Sequence, residues 1–138
     1  VEIYNNSASV LNLSEVWLYD ESGKVRLSGI LKPREYAVLC ANSALKEFTT
    51  QFPDRQFIGL PSLPSLSNTG EKLELRNSRG NLLFSVTYSD TWYRDEVKRQ
   101  GGWSLEMIDT ENPCGEAENW TASANPLGGT PSLQNSVK

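Results

Sequence analysis

Between residues 82 and 88 the apolar side chains fall on every second position: Leu82, Phe84, Val86 and Tyr88 share one parity while Ser85 and Thr87 take the other. A period of two belongs to a strand with one face in a core, because a helix brings neighbours together every three or four residues. Leu73 and Leu75 alternate with Glu74 just upstream, and Asn77-Ser78-Arg79-Gly80 has the chemistry of a tight turn. Residues 72–88 are therefore predicted to form a β-hairpin, central to the fold, with Phe84 inward and Thr87 outward.

Shorter runs of the same kind occupy 16–19, closed by the turn Glu21-Ser22-Gly23, then 25–27, then 36–40 with Tyr36, Val38 and Cys40 on one face, and 104–108 with Leu105 and Met107 inward. Helix is expected only over 43–52, where Leu45, Phe48 and Phe52 fall at i, i+3 and i+7 and Asn42 or Ser43 can cap the first turn. Residues 59–68 are broken by Gly59, Pro61 and Pro64 and read as a long connection. The last 25 residues carry Pro113, Pro126, Gly128, Gly129 and Pro131 and read as an irregular tail, tied down by Trp120 if at all. Many short strands without βαβ alternation predict an all-β fold, an antiparallel sandwich or barrel.

Composition enters where chemistry is at stake. The 138 residues suit one domain, 1–138. With no His, the chain cannot build a Ser-His-Asp or Cys-His catalytic unit or a His-ligated metal site. A net charge of −4 disfavours general nucleic-acid binding, and no apolar run is long enough to cross a bilayer. The chain opens at Val1 directly into strand-like Val1-Glu2-Ile3-Tyr4, which reads as a piece excised from a longer protein. Cys40 and Cys114 are an even pair, which permits one disulfide in an oxidising compartment.

Carboxylates are the remaining candidates for catalysis. Asp20-Glu21, Asp95-Glu96 and Glu106 with Asp109 lie in turns or on polar strand faces, where solvated acids are expected, so no catalytic residue is assigned. Glu2 and Glu106 are expected to bind a neighbouring Arg or a backbone amide. Asp109, Glu111, Asn112, Glu116 and Glu118 crowd one loop that could attract calcium, but their spacing fits no EF-hand and Pro113 interrupts them; no metal or cofactor is assigned. Arg94, Lys98 and Arg99 beside Trp92 and Tyr93 mix cations with aromatics as a single-strand nucleic-acid site does, with Asp95 and Glu96 cancelling most of the charge. Three N-x-S/T triplets, at Asn5, Asn12 and Asn119, carry no weight of their own.

Several strings then become specific. Val1-Glu2-Ile3-Tyr4-Asn5-Asn6-Ser7 followed by Leu13 and Trp17-Leu18-Tyr19-Asp20 resembles the start of a lamin tail domain. The later motifs keep the family's order: Leu31-Lys32-Pro33 with Tyr36-Ala37-Val38-Leu39, the string from Leu66 to Leu75, Gly80, Val86-Thr87-Tyr88 before Trp92, Gly101-Gly102-Trp103-Ser104-Leu105-Glu106, Asn119-Trp120-Thr121-Ala122-Ser123, and Gly128-Gly129-Thr130-Pro131. The chain is most similar to the bacterial members, found in large cell-surface or secreted proteins. The resemblance implies an immunoglobulin-like antiparallel β-sandwich in an extracytoplasmic protein, working as a non-catalytic interaction or tethering domain with a protein, a glycan or neighbouring domains as partner. It makes a Cys40–Cys114 bond usable, and the two cysteines are expected to be bonded. Two departures stand out: a leading strand before the Glu-Ile-Tyr-Asn string is missing, which leaves an open edge at 1–4, and Ser132 replaces the glycine that commonly follows Thr-Pro. The rod heptads of a true lamin are absent, so no filament is expected.

Two rival functions stay open: a nucleic-acid-associated accessory module of a secreted nuclease, and a small carboxylate-based hydrolase. For ligand binding the residues expected are Trp92, Tyr93 and Trp103, which flank a polar loop containing Arg94, Asp95, Lys98, Arg99, Gly101 and Gly102. Such aromatics stack on sugars, bases or partner side chains, or else they cover the open end of the sandwich. Trp17 and Trp120 are expected to be structural.

Overall fold

The computed structural model describes all 138 residues, Val1–Lys138. In chain order the strands are β1 (Glu2–Tyr4), β2 (Leu11–Asn12), β3 (Val16–Tyr19), β4 (Lys24–Arg26), β5 (Ile30–Leu31) and β6 (Tyr36–Ala41), then helix α1 (Asn42–Gln51), β7 (Phe57–Leu60), β8 (Gly70–Asn77), β9 (Leu82–Ser89), β10 (Leu105–Met107) and β11 (Trp120–Ala122). They form a four-stranded sheet in the order β4-β3-β8-β9, a three-stranded sheet β1-β6-β7, and the ribbons β2-β5 and β10-β11. The fold is all-β in character, with mostly antiparallel pairing.

One apolar cluster joins the two larger sheets. Leu18 and Val25 come from the four-stranded sheet, Ala37, Leu39, Ile58 and Leu60 from the three-stranded one, and Leu13, Leu27 and Leu31 from the segments between. Asn5 ties this region together although it is only 1% exposed. Its Nδ2 donates to the carbonyls of Ser9, Leu31 and Lys32 at 2.8, 3.1 and 3.1 Å, while its Oδ1 accepts from the Ser7 amide and hydroxyl. A buried amide with its hydrogen bonds made is no burden on the fold.

Several expectations are corrected here. β6, α1 and β7 form a βαβ unit, since β6 and β7 pair in parallel with Leu39 opposite Ile58. Phe48 and Phe52 of the helical segment lie 5.3 and 6.2 Å from the Phe57 ring, the return a parallel connection requires. Gly59 makes the close approach possible: a Cβ there would lie 2.3 Å from Asn42 Oδ1. Gly59 and Leu60 thus belong to a strand and not to the long connection. Both faces of β6 are covered: Ala37 and Leu39 enter the cluster between the sheets, while Tyr36, Val38 and Cys40 share the other face, with Tyr36 and Cys40 also buried.

The hairpin exists, but β9 is the outer strand of its sheet and not central. Leu82 and Leu83 are 51% and 55% exposed, and Phe84, Val86 and Tyr88 are half-buried. With β8 as its only neighbour, β9 reaches the core through Leu75, which stands opposite Phe84. In β3 it is Leu18 that points inward, so Trp17 and Tyr19 lie on the outer face. In β10 the buried residue is Glu106, at 4% exposure, and Leu105 and Met107 are only half-buried.

The expected Cys40–Cys114 disulfide is absent; both thiols are free. Cys40 is buried in β6 opposite Gly59, on the side where α1 packs, and burial raises its pKa. Cys114 is exposed in the loop between β10 and β11. A disulfide needs two Cβ vectors that converge, which a thiol under a helix and one on an open loop do not supply. β1 lies at one edge of its sheet, in the order β1-β6-β7.

Candidate functional site

After β9 the chain turns sharply. Ser89 Oγ accepts the Thr91 amide at 3.2 Å and caps a short 3-10 turn, Asp90–Tyr93, which ends at Arg94 in the left-handed region, φ 55°. This turn lays Trp92 against Trp120 of β11, with ring centroids 6.3 Å apart and planes 31° from parallel. Tyr93 Oη donates to the Trp103 carbonyl at 2.9 Å, and burial, with Asp90 adding, raises the phenol's pKa. Lys98 Nζ sits 4.3 Å from the Trp103 ring centroid and donates to the buried Ser123 carbonyl at 2.7 Å. Trp92, Tyr93 and Trp103 are thus one connected unit with three different tasks. Trp92 packs on another ring, Tyr93 fixes the backbone of Trp103, and Trp103 borders open space.

That space is a groove of about 490 Å³ between the end of α1 and the C-terminal segment, walled by Phe52, Arg55, Trp103, Leu127, Pro131 and Leu133. Leu127 is 87% exposed and Leu133 42%. Arg55 is the one charged side chain of the lining, and its Nε is buried without a hydrogen-bond partner. The floor is set by glycine. Gly128, at φ 90°, lies so close to Gly102 that a Cβ would come within 2.2 Å of the Gly102 carbonyl, and the Ser104 amide donates to the Gly128 carbonyl at 2.8 Å. Phe52, Arg55, Leu127 and Leu133 were not legible as site residues. The only signal in sequence is Leu127 standing alone between Pro126 and Gly128, in a segment with no apolar period.

The tail that forms one wall is held by two carboxylates. Glu106 Oε1 accepts the Thr130 hydroxyl at 2.8 Å, and Oε2 accepts both the Ser136 amide and hydroxyl at 2.7 Å. Burial opposes ionisation of Glu106, but the hydroxyls of Ser136, Ser123 and Thr130 outweigh it and hold the carboxyl below its ordinary range. Glu2 Oε2 accepts the Ser132 amide at 2.6 Å. Loss of hydration around its carboxyl raises the pKa to about 7 against the pull of that amide, and the charge of Glu106 adds to the rise. Glu2 keeps an exposed flank, so crowding of the carboxyl and not full enclosure causes the shift. Ser132 adopts φ 60°, the left-handed geometry its glycine-like position demands; its hydroxyl donates to the Tyr36 carbonyl at 3.1 Å and accepts the Gln56 amide at 2.9 Å. Trp120, expected to anchor the tail, instead meets Trp92, and its Nε1 has no partner.

The acidic loop is engaged locally. Glu111 pairs with Arg34 at 2.6 Å, Asp109 Oδ1 accepts the Glu111 amide, and the buried Asn119 ties Asp109 and Asn112 together. No three acidic or thiol side chains converge as a metal site. No family model matches the chain, and no curated protein and no solved structure matches it.

Proposed function

We propose that the chain is a non-catalytic interaction domain that docks an apolar segment of a partner protein in the groove beside Trp103. The carrying observation is the groove itself. Leu127 and Leu133 present apolar surface next to Trp103 and Phe52, with Arg55 as the one charged side chain of the lining. Apolar walls with a few polar groups are the usual composition of a binding site, and an aromatic with an Arg is the usual nucleus of an interface.

The motif resemblance to bacterial lamin tail domains supports the wider reading: an immunoglobulin-like sandwich in a multidomain cell-surface or secreted protein, tethering it to other proteins. Two sheets sharing one core support that reading. Localisation rests on the resemblance alone, now that the thiols are free. Glu2 and Glu106 give their oxygens to the tail, including the backbone amides of Ser132 and Ser136, which supports a structural role for both and not a catalytic one.

A displayed peptide library selected on the wild-type chain tests the proposal. Apolar peptides are expected to be enriched, and Leu127→Asp, whose site is too exposed to matter for folding, is expected to abolish their capture. Peptides captured equally by Leu127→Asp, or no enrichment at all, would overturn it.

A further inference from the structure

Outward-facing residues of the four-stranded sheet form a second, separate surface. Cross-strand pairing places Arg26, Trp17 and Arg76 in one row and Lys24, Tyr19 and Glu74 in the next, with Lys72 beyond Glu74 on the same face. Four cations therefore meet one carboxylate, on a chain whose net charge is −4. Glu74 is shared by Arg76 at 2.7 Å and Lys72 at 3.5 Å, whereas Lys24 and Arg26 have no carboxylate partner. Arg26 Nε donates to the Ser14 carbonyl at 2.5 Å, which steadies the side chain and leaves its terminal nitrogens free. Lys24 Nζ stands 5.0 Å from the Trp17 ring centroid and 5.6 Å from that of Tyr19, and Arg76 stands 5.9 Å from Tyr19.

We propose that this face binds a linear acidic polysaccharide of the uronic-acid type. Charge complementarity calls for an anion. Arg26 and Arg76 flank Trp17 with their Cα positions two strand spacings apart, roughly 9–10 Å; Arg76 already holds Glu74 and the Gly80 carbonyl, so the terminal nitrogens of Arg26 and the Lys24 ammonium are the cations left for carboxylates, and the indole gives an apolar floor for the carbon face of a sugar ring. A single nucleic-acid strand fits less well. Its successive bases need successive open rings to stack on, and of the two rings on this face Tyr19 already has both Lys24 and Arg76 beside it. The surface does not depend on the groove, so each reading can fail alone.

Calorimetry at low salt with oligogalacturonate, its methyl ester and oligo-dT of matched length tests the proposal on four proteins: wild type, Lys24→Gln with Arg26→Gln, a control carrying Lys32→Gln with Lys46→Gln, and Leu127→Asp. All these positions are exposed, so folding is expected to be unaffected. Wild type, the control and Leu127→Asp are expected to bind the acid oligomer equally, with affinity falling as salt rises. The Lys24/Arg26 double variant is expected to bind at least about tenfold more weakly, since two charge-assisted contacts are removed. Absence of binding by the wild type, equal binding of the ester, an unaffected double variant, or preference for oligo-dT would each overturn it.

Discussion

Replacing Glu106 with glutamine isolates the charge at the centre of the tail's attachment. The amide keeps the shape of the side chain and one acceptor oxygen, which can still take the Ser136 amide, while the Thr130 hydroxyl can rotate to accept from the new NH₂. What disappears is the charge assistance on three short hydrogen bonds. Bonds to a charged group contribute about 1.5–3 kcal/mol and neutral ones about 0.5–1.5; relief of the cost of burying the charge offsets part of the loss. Glu106→Gln is therefore expected to destabilise by about 1–2 kcal/mol, and Glu106→Ala, which strands the amide and both hydroxyls, by about 3–5 kcal/mol. Urea unfolding followed by tryptophan fluorescence reads the loss, and hydrogen exchange at the Ser136 amide locates it. Because the folded carboxyl titrates below its ordinary value of 4.5, its contribution is present above that pH and fades as pH falls through the folded value. The glutamine variant and the wild type should then converge in acid. A deficit that persists undiminished in acid, or an unchanged midpoint with unchanged Ser136 protection, would refute the assignment.

Glu2 should behave in the opposite sense. Its carboxyl, raised from 4.5 to about 7, favours the folded state fully below pH 4.5 and loses that contribution as pH rises through 7, so Glu2→Gln should flatten this part of the stability profile. Thiol titration should find two free thiols in the denatured, unreduced protein, but only Cys114 reacting rapidly in the native one; a single slow class, or none, would contradict the buried and exposed placements. Leu39→Ala, at 1% exposure in the shared core, should cost about 2–5 kcal/mol, with Phe84→Ala on the half-buried outer strand costing clearly less. At Ser132, alanine loses the hydroxyl and keeps the strained φ of 60° while glycine relieves it, so Ser132→Gly should be the more stable of the two by about 1 kcal/mol; the reverse order in thermal melts would deny the strain.

What could be read in advance was whatever a local period carries. The hairpin, β3, β4, β6 and α1 all follow from spacing within a few residues. Depth in the fold did not, because alternation gives parity without saying whether a partner sheet lies opposite. Thus Phe84 has the right parity on an outer strand, and Trp17, expected to be structural, lies on the outer face while Leu18 fills the core. The βαβ unit escaped because β7 is only four residues, one of them glycine, with a proline following. Asn5 and Glu106 were invisible as buried residues, since their partners lie 26 and up to 30 positions away and no composition rule marks an acid for the interior. Of the site residues, Trp103 was legible from its aromatic character in a glycine-rich loop, whereas Phe52 and Arg55 reach the groove only through the return of α1 onto β7.

Glu2 and Ser132 meet across 130 positions, and Glu106 waits 24 to 30 residues for its donors. During synthesis the two large sheets can pair as soon as β9 has emerged, since none of their strands lies beyond Ser89. The β10–β11 ribbon cannot settle then, because Glu106 would enter the interior as a bare charge until Thr130 and Ser136 are made. A chain released after residue 129 should therefore keep a protected Leu39 amide and show a protease-sensitive 90–129. The order of translation becomes an order of assembly, in which residues 130–136 must leave the ribosome before the groove can form.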